Sequence, residues 1–87
     1  MASRKTLKRT ITNISEALFA ECVAASLYSH DRQCGETLIY STVKMQDHFV
    51  RRISHQEPGM PAKEYYRDLW EKFVAQVSEI TDHINNL

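Results

Sequence analysis

The fold is decided by the last quarter of the chain, Tyr66-Arg67-Asp68-Leu69-Trp70-Glu71-Lys72-Phe73-Val74-Ala75-Gln76-Val77-Ser78-Glu79-Ile80-Thr81-Asp82-His83-Ile84-Asn85-Asn86-Leu87. Tyr66, Trp70, Phe73, Val77, Ile80, Ile84 and Leu87 recur at alternating spacings of four and three. That is the period of one helical face, sustained for three heptads as in a coiled-coil seam. The positions between carry Glu64, Arg67, Asp68, Glu71, Lys72, Glu79 and Asp82, a solvated outer side. Asp68 and Lys72 stand four apart, a favourable pair on a helix. Upstream, Glu57-Pro58-Gly59-Met60-Pro61 forces a turn, and Pro61 suits the first turn of a helix. The reading is a helix over 61–85. Tyr65 and Tyr66 are adjacent, so one is expected to face in and the other mostly out.

Before that turn, Leu38, Met45, Phe49 and Ile53 form a stripe that includes Thr42 and Gln46, with Ile39, Val43 and Val50 beside it. This predicts a second helix over 36–56 whose apolar face is wider than one neighbour requires. Earlier still, Leu7, Ile11, Ile14, Leu18, Cys22, Ala25 and Tyr28 recur at three and four, which predicts a helix over 3–30 with Ser3 as its N-cap. The polar run Ser29-His30-Asp31-Arg32-Gln33-Cys34-Gly35 ends in a glycine and reads as the connecting turn. Three helices on short links pack as neighbours, so the expected architecture is an all-α, antiparallel up-down-up three-helix bundle in one domain, 1–87.

Composition agrees. Eighty-seven residues leave no room for a second core. With only 2 glycines and 2 prolines, the chain lacks the turn-makers of an all-β domain. No apolar run is long enough to span a membrane. The basic start, Arg4-Lys5-Thr6-Leu7-Lys8-Arg9, resembles a transit peptide in composition, but its helical period runs on unbroken and Thr10, Thr12, Asn13 and Ser15 interrupt any secretory apolar core. Two cysteines, Cys22 in a helical stripe and Cys34 near a turn, read as reduced thiols of a cytoplasmic protein.

One feature exceeds what a bundle needs. Phe19, Val23 and Leu27, flanked by Ala20 and Ala24, form a second apolar stripe on the first helix, facing away from the first. Fully burying such side chains is worth about 1.5–3 kcal/mol each, so exposing them wastes stability. Either this helix is central, or a partner covers the stripe. A second copy is the economical partner, because two-fold self-association is the commonest soluble assembly. The sequence-level expectation is a non-enzymatic, self-associating interaction module, a homodimer through Phe19, Ala20, Val23, Ala24 and Leu27; an unidentified protein partner is the other possible cover.

Two alternatives rest on other residues. Lys44, His48, Arg51, Arg52 and His55 share one side of the second helix, a basic stripe suited to phosphate or another anionic partner. Against nucleic acid stand a sequence pI of about 6.9 and the lack of a recognised binding motif. The third reading places metal or thiol redox chemistry at His30 and Cys34, with Arg32 near enough in sequence to depress the thiol. Structural zinc wants four ligands, and a lone His30-x-x-x-Cys34 pair, or Glu79 with His83, falls short. No Gly-x-Ser-x-Gly and no phosphate-cradling glycine loop is present, so the reading includes no catalytic residue, no cofactor and no metal.

Leu18-Phe19-Ala20-Glu21-Cys22-Val23-Ala24-Ala25 and His55-Gln56-Glu57-Pro58-Gly59-Met60 resemble stretches of small bacterial all-helical proteins of no assigned activity. The resemblance covers about half the chain. It implies a bacterial cytoplasm and brings no activity, cofactor or site residue.

Overall fold

A computed structural model describes residues 4–87. It contains three helices: α1 (Arg4–Tyr28), α2 (Arg32–Ser54) and α3 (Ala62–Asn85). No strand occurs among the described residues. The Ser3 cap lies outside them. The bundle is elongated, 46 × 19 × 17 Å.

α2 begins at Arg32, four residues before the expected Glu36, because Asp31 and not the glycine sets its start. The Asp31 carboxylate accepts the Cys34 amide at 3.1 Å, and Ser29 Oγ accepts the Asp31 amide at 3.0 Å. These contacts satisfy donors that the first helical turn leaves unpaired. Gly35 is therefore helical and buried, and it meets Ser26 of α1. A Cβ built at position 35 would fall 2.6 Å from Ser26 Oγ and 2.7 Å from Ser26 Cβ. The glycine serves a close helix–helix crossing, not a turn.

Small residues continue along the same interface. Ser15, Cys22 and Thr42 are buried, and Cys22 Sγ lies 3.4 Å from Thr42 Oγ1. Thr42 Oγ1 also donates to the Leu38 carbonyl at 2.9 Å. Small side chains bring α1 and α2 close together, whereas α3 packs through large ones. Phe49 of α2 meets Phe73 of α3 edge-on, with ring centroids 5.4 Å apart. Leu69 and Phe73 are wholly buried.

Both tyrosines at the start of α3 are buried, against the expectation that one would face out. Their hydroxyls explain it. Tyr65 Oη lies 2.8 Å from the Arg52 carbonyl and 3.0 Å from that of His55, and Tyr66 Oη donates to the Ile53 carbonyl at 3.1 Å. Carbonyls at the end of α2 and at its cap residue thus gain donors from α3, Arg52's in addition to the His55 amide at 3.3 Å. The α3 seam otherwise holds, with Trp70, Val77 and Ile84 half-buried and Leu87 exposed. Tyr28, expected on the core stripe, is 88% exposed because α1 ends there, past the reach of its neighbours.

Candidate functional site

The contacts Ser26–Gly35 and Cys22–Thr42 fix the register of the α1–α2 hairpin. They place Val23 level with Ile39 and Phe19 level with Val43. In two antiparallel right-handed helices, residues that follow the seam by one position lie on the same side. Phe19 and Val23 follow Leu18 and Cys22; Ile39 and Val43 follow Leu38 and Thr42. These four residues therefore share one face of the hairpin. α3 packs on the opposite face, as the ion pair between Arg52, which precedes the seam residue Ile53, and Asp68 of α3 shows.

This face is where the second apolar stripe lies. Phe19 is 38% exposed, Val43 51% and Leu27 77%. Val23 and Ile39 are half-buried, and Ala20 and Ala24 are exposed. The stripe is not core shared with α2 and α3; it lies on the surface. Sequence reasoning found the α1 half and the surplus width of α2. What it lacked was the register that joins the two.

The basic residues assemble on the other side of α2. Lys44, His48, Arg51, Arg52 and His55 line one open groove of about 560 Å³ together with Asp47 and with Gln76 of α3. Arg51 Nε meets Asp47 at 3.2 Å, and Arg52 lies 3.5 Å from Asp68. Asp68 also meets Lys72 at 3.1 Å, the pair expected from the sequence. Lys72 first, and Arg52 second, hold the Asp68 carboxyl below its ordinary value. Lys44 Nζ sits 5.4 Å from the Tyr40 ring centroid, and the Arg52 guanidinium 5.3 Å from that of Tyr65. His55 Nδ1 contacts the Arg51 carbonyl at 2.9 Å.

The His30 and Cys34 pair is not brought together with further ligands. Among the described residues no group of three or more His, Cys, Asp or Glu side chains is placed to hold a metal ion. Both cysteines are free thiols, Cys22 buried and Cys34 exposed. The nearest influence on Cys34 is not Arg32 but Asp31, whose hydrogen bond and negative charge push the thiol up. A reactive cysteine needs the reverse. Cys34 borders a second groove, of about 580 Å³, with Leu38, Glu79, Ile80, His83 and Leu87. Sequence reasoning did not anticipate this groove, since its lining comes from the start of α2 and the end of α3.

Among the described residues, no helix is long and apolar enough to cross a membrane. Compared with known protein families, with curated proteins and with solved structures, the chain matches none.

Proposed function

We propose that this chain is a non-enzymatic helical interaction module that associates with a second copy of itself through the hairpin face opposite α3. The observation that carries the reading is the apolar surface formed by Phe19, Val23 and Leu27 on α1 with Ile39 and Val43 on α2. Phe19, Val23, Leu27, Ile39 and Val43 form an uncharged centre to this face, with the exposed Glu16 at its edge. Ala20 and Ala24 permit close helix approach, and a two-fold pairing covers the same patch on both copies. Completing the burial of a Phe, a Leu and a Val contributes up to about 1.5–3 kcal/mol each per copy. That gain is of the size needed to offset the roughly 4–15 kcal/mol cost of association.

Light scattering coupled to size exclusion tests this. The expected mass is twice 10.1 kDa at low and at high salt, because apolar contacts are not screened. Phe19→Asp with Val23→Asp is expected to give a 10.1 kDa species that keeps its helicity. Leu27→Asp, at a position 77% exposed, provides a second variant that leaves the fold intact. A wild-type chain that stays monomeric at micromolar concentration refutes the proposal.

A further inference from the structure

The groove between α2 and α3 is independent of the hairpin face, and we propose that it binds a small ligand bearing two or more linked phosphoryl groups. The lining carries three cations, Lys44, Arg51 and Arg52, against one carboxylate, Asp47. Asp68 at its edge is shared by Arg52 and Lys72, so one negative charge there faces two positive ones. A net positive charge of two therefore remains on this side of a chain whose total is zero. His48 and His55 add ring nitrogens between and beyond the cations.

One of the cations is also held in place: the Arg52 side chain is only 23% exposed and lies between Asp68 and the Tyr65 ring, whereas Arg51 is 75% exposed and paired with the exposed Asp47. An arginine fork held in advance loses little freedom when it takes a phosphate oxygen. The Arg51–Asp47 pair is solvent-exposed and weak enough for a multivalent anion to replace, and the half-buried Asp68 is neutralised by Lys72 as well as by Arg52. Ordinarily the C-terminal end of a helix repels anions. Here the Arg52, Ile53 and His55 carbonyls already accept hydrogen bonds from Tyr65 and Tyr66, which blunts that end.

Spacing and lining select the ligand class. Residues 44, 48, 51 and 52 recur at helical spacing along one side of α2, a row of roughly 12 Å at about 1.5 Å per residue, and His55 at the helix cap extends it. One phosphate spans a single step of that row; linked phosphoryl groups span several. Among the described residues no Phe, Tyr or Trp lines the groove; its rings are the imidazoles of His48 and His55, and Tyr40 lies outside the lining with Lys44 Nζ 5.4 Å from its ring centroid. Single-stranded nucleic acids are held on stacking aromatics, so the lining favours the phosphoryl chain over bases.

Calorimetric titration of the full chain with inorganic triphosphate at low salt tests the proposal, with a single-stranded oligothymidylate as the comparison. Saturable triphosphate binding is expected, weakening as salt is raised. Lys44→Glu with Arg51→Glu, both at exposed positions, is expected to weaken it at least tenfold with helicity and assembly mass unchanged. Absence of saturable binding overturns the proposal. So does triphosphate binding unaltered by the double variant, or an oligothymidylate that binds more tightly than triphosphate.

Discussion

Gly35→Ala sets two effects of known sign against each other. Alanine is the better helix former, by about 1 kcal/mol in a helix interior. The new methyl, however, arrives 2.6 Å from Ser26 Oγ, 2.7 Å from Ser26 Cβ and 3.0 Å from Ser26 Cα. The hydroxyl can rotate away, but Cβ and Cα cannot. To restore ordinary contact α1 must retreat by about 0.7 Å, the difference between 2.7 Å and 3.4 Å. Interiors are packed closely enough that such a shift propagates along the interface, through Cys22 and Thr42. Overpacking typically costs about 1–3 kcal/mol, and a contact with backbone belongs at the upper end. The steric term wins, and the expected net loss is about 1–2 kcal/mol. For a domain of this size that is a fall in Tm of roughly 5–15 °C.

The assay is thermal and urea unfolding followed by far-UV circular dichroism. A double-mutant cycle with Ser26 separates the terms. Ser26→Ala removes the hydroxyl but leaves the 2.7 Å clash, so it should rescue Gly35→Ala little. Ser26→Gly removes both side-chain atoms and should give a coupling energy of at least about 1 kcal/mol, as neighbours in contact do. A Gly35→Ala protein as stable as wild type, or no coupling to Ser26→Gly, would refute the close crossing and return Gly35 to the role of a turn residue.

Four further outcomes follow from the packing. Tyr65→Phe removes the hydroxyl donor shared by the Arg52 and His55 carbonyls, of which Arg52's keeps the His55 amide, and should cost about 0.5–1.5 kcal/mol in urea unfolding. Phe73→Ala, at a wholly buried position, should cost about 3–5 kcal/mol, and half-buried Trp70→Ala clearly less; the reverse order would displace the centre of the core. Ser15 Oγ is buried with no hydrogen-bond partner among the described residues, so Ser15→Ala should raise Tm. Asp68 has a lowered carboxyl value, so its contribution is present at neutral pH and fades as pH falls through and below the ordinary carboxylate range near 3.8. Asp68→Asn should lower stability at neutral pH and converge on wild type in acid.

What could be read from the sequence was whatever repeats along one helix. The seam of α3, the stripes of α1 and α2 and the turn at Pro58-Gly59 are local patterns that reappear in the structure, except that Tyr28 and Leu87 at the helix ends are exposed. What could not be read depends on two helices at once. Gly35 looks like punctuation until Ser26 lies against it. Tyr65 breaks the heptad and seems destined for water until the end of α2 offers carbonyls to its hydroxyl. Leu69 lies beside the seam, one position before Trp70, and is wholly buried because α3 meets α1 and α2 together. Cys34 shows the same limit in electrostatics. Arg32 is the cation near it in sequence, yet the helix start brings Asp31 to it instead.

The two surfaces proposed here are separable because α2 divides them. Its core face carries Leu38, Thr42, Met45, Phe49 and Ile53. Residues that follow these by one, such as Ile39 and Val43, turn toward the hairpin face. Residues that precede them by one, such as Lys44, His48 and Arg52, turn toward α3 and the groove. Val43 and Lys44 are neighbours in sequence but belong to different surfaces. Changing Val43 to aspartate should alter assembly mass while leaving triphosphate binding per chain intact; Lys44→Glu should do the opposite. If one substitution moved both readouts, the two faces would form a single interface, and the groove would then be closed or completed by the second copy.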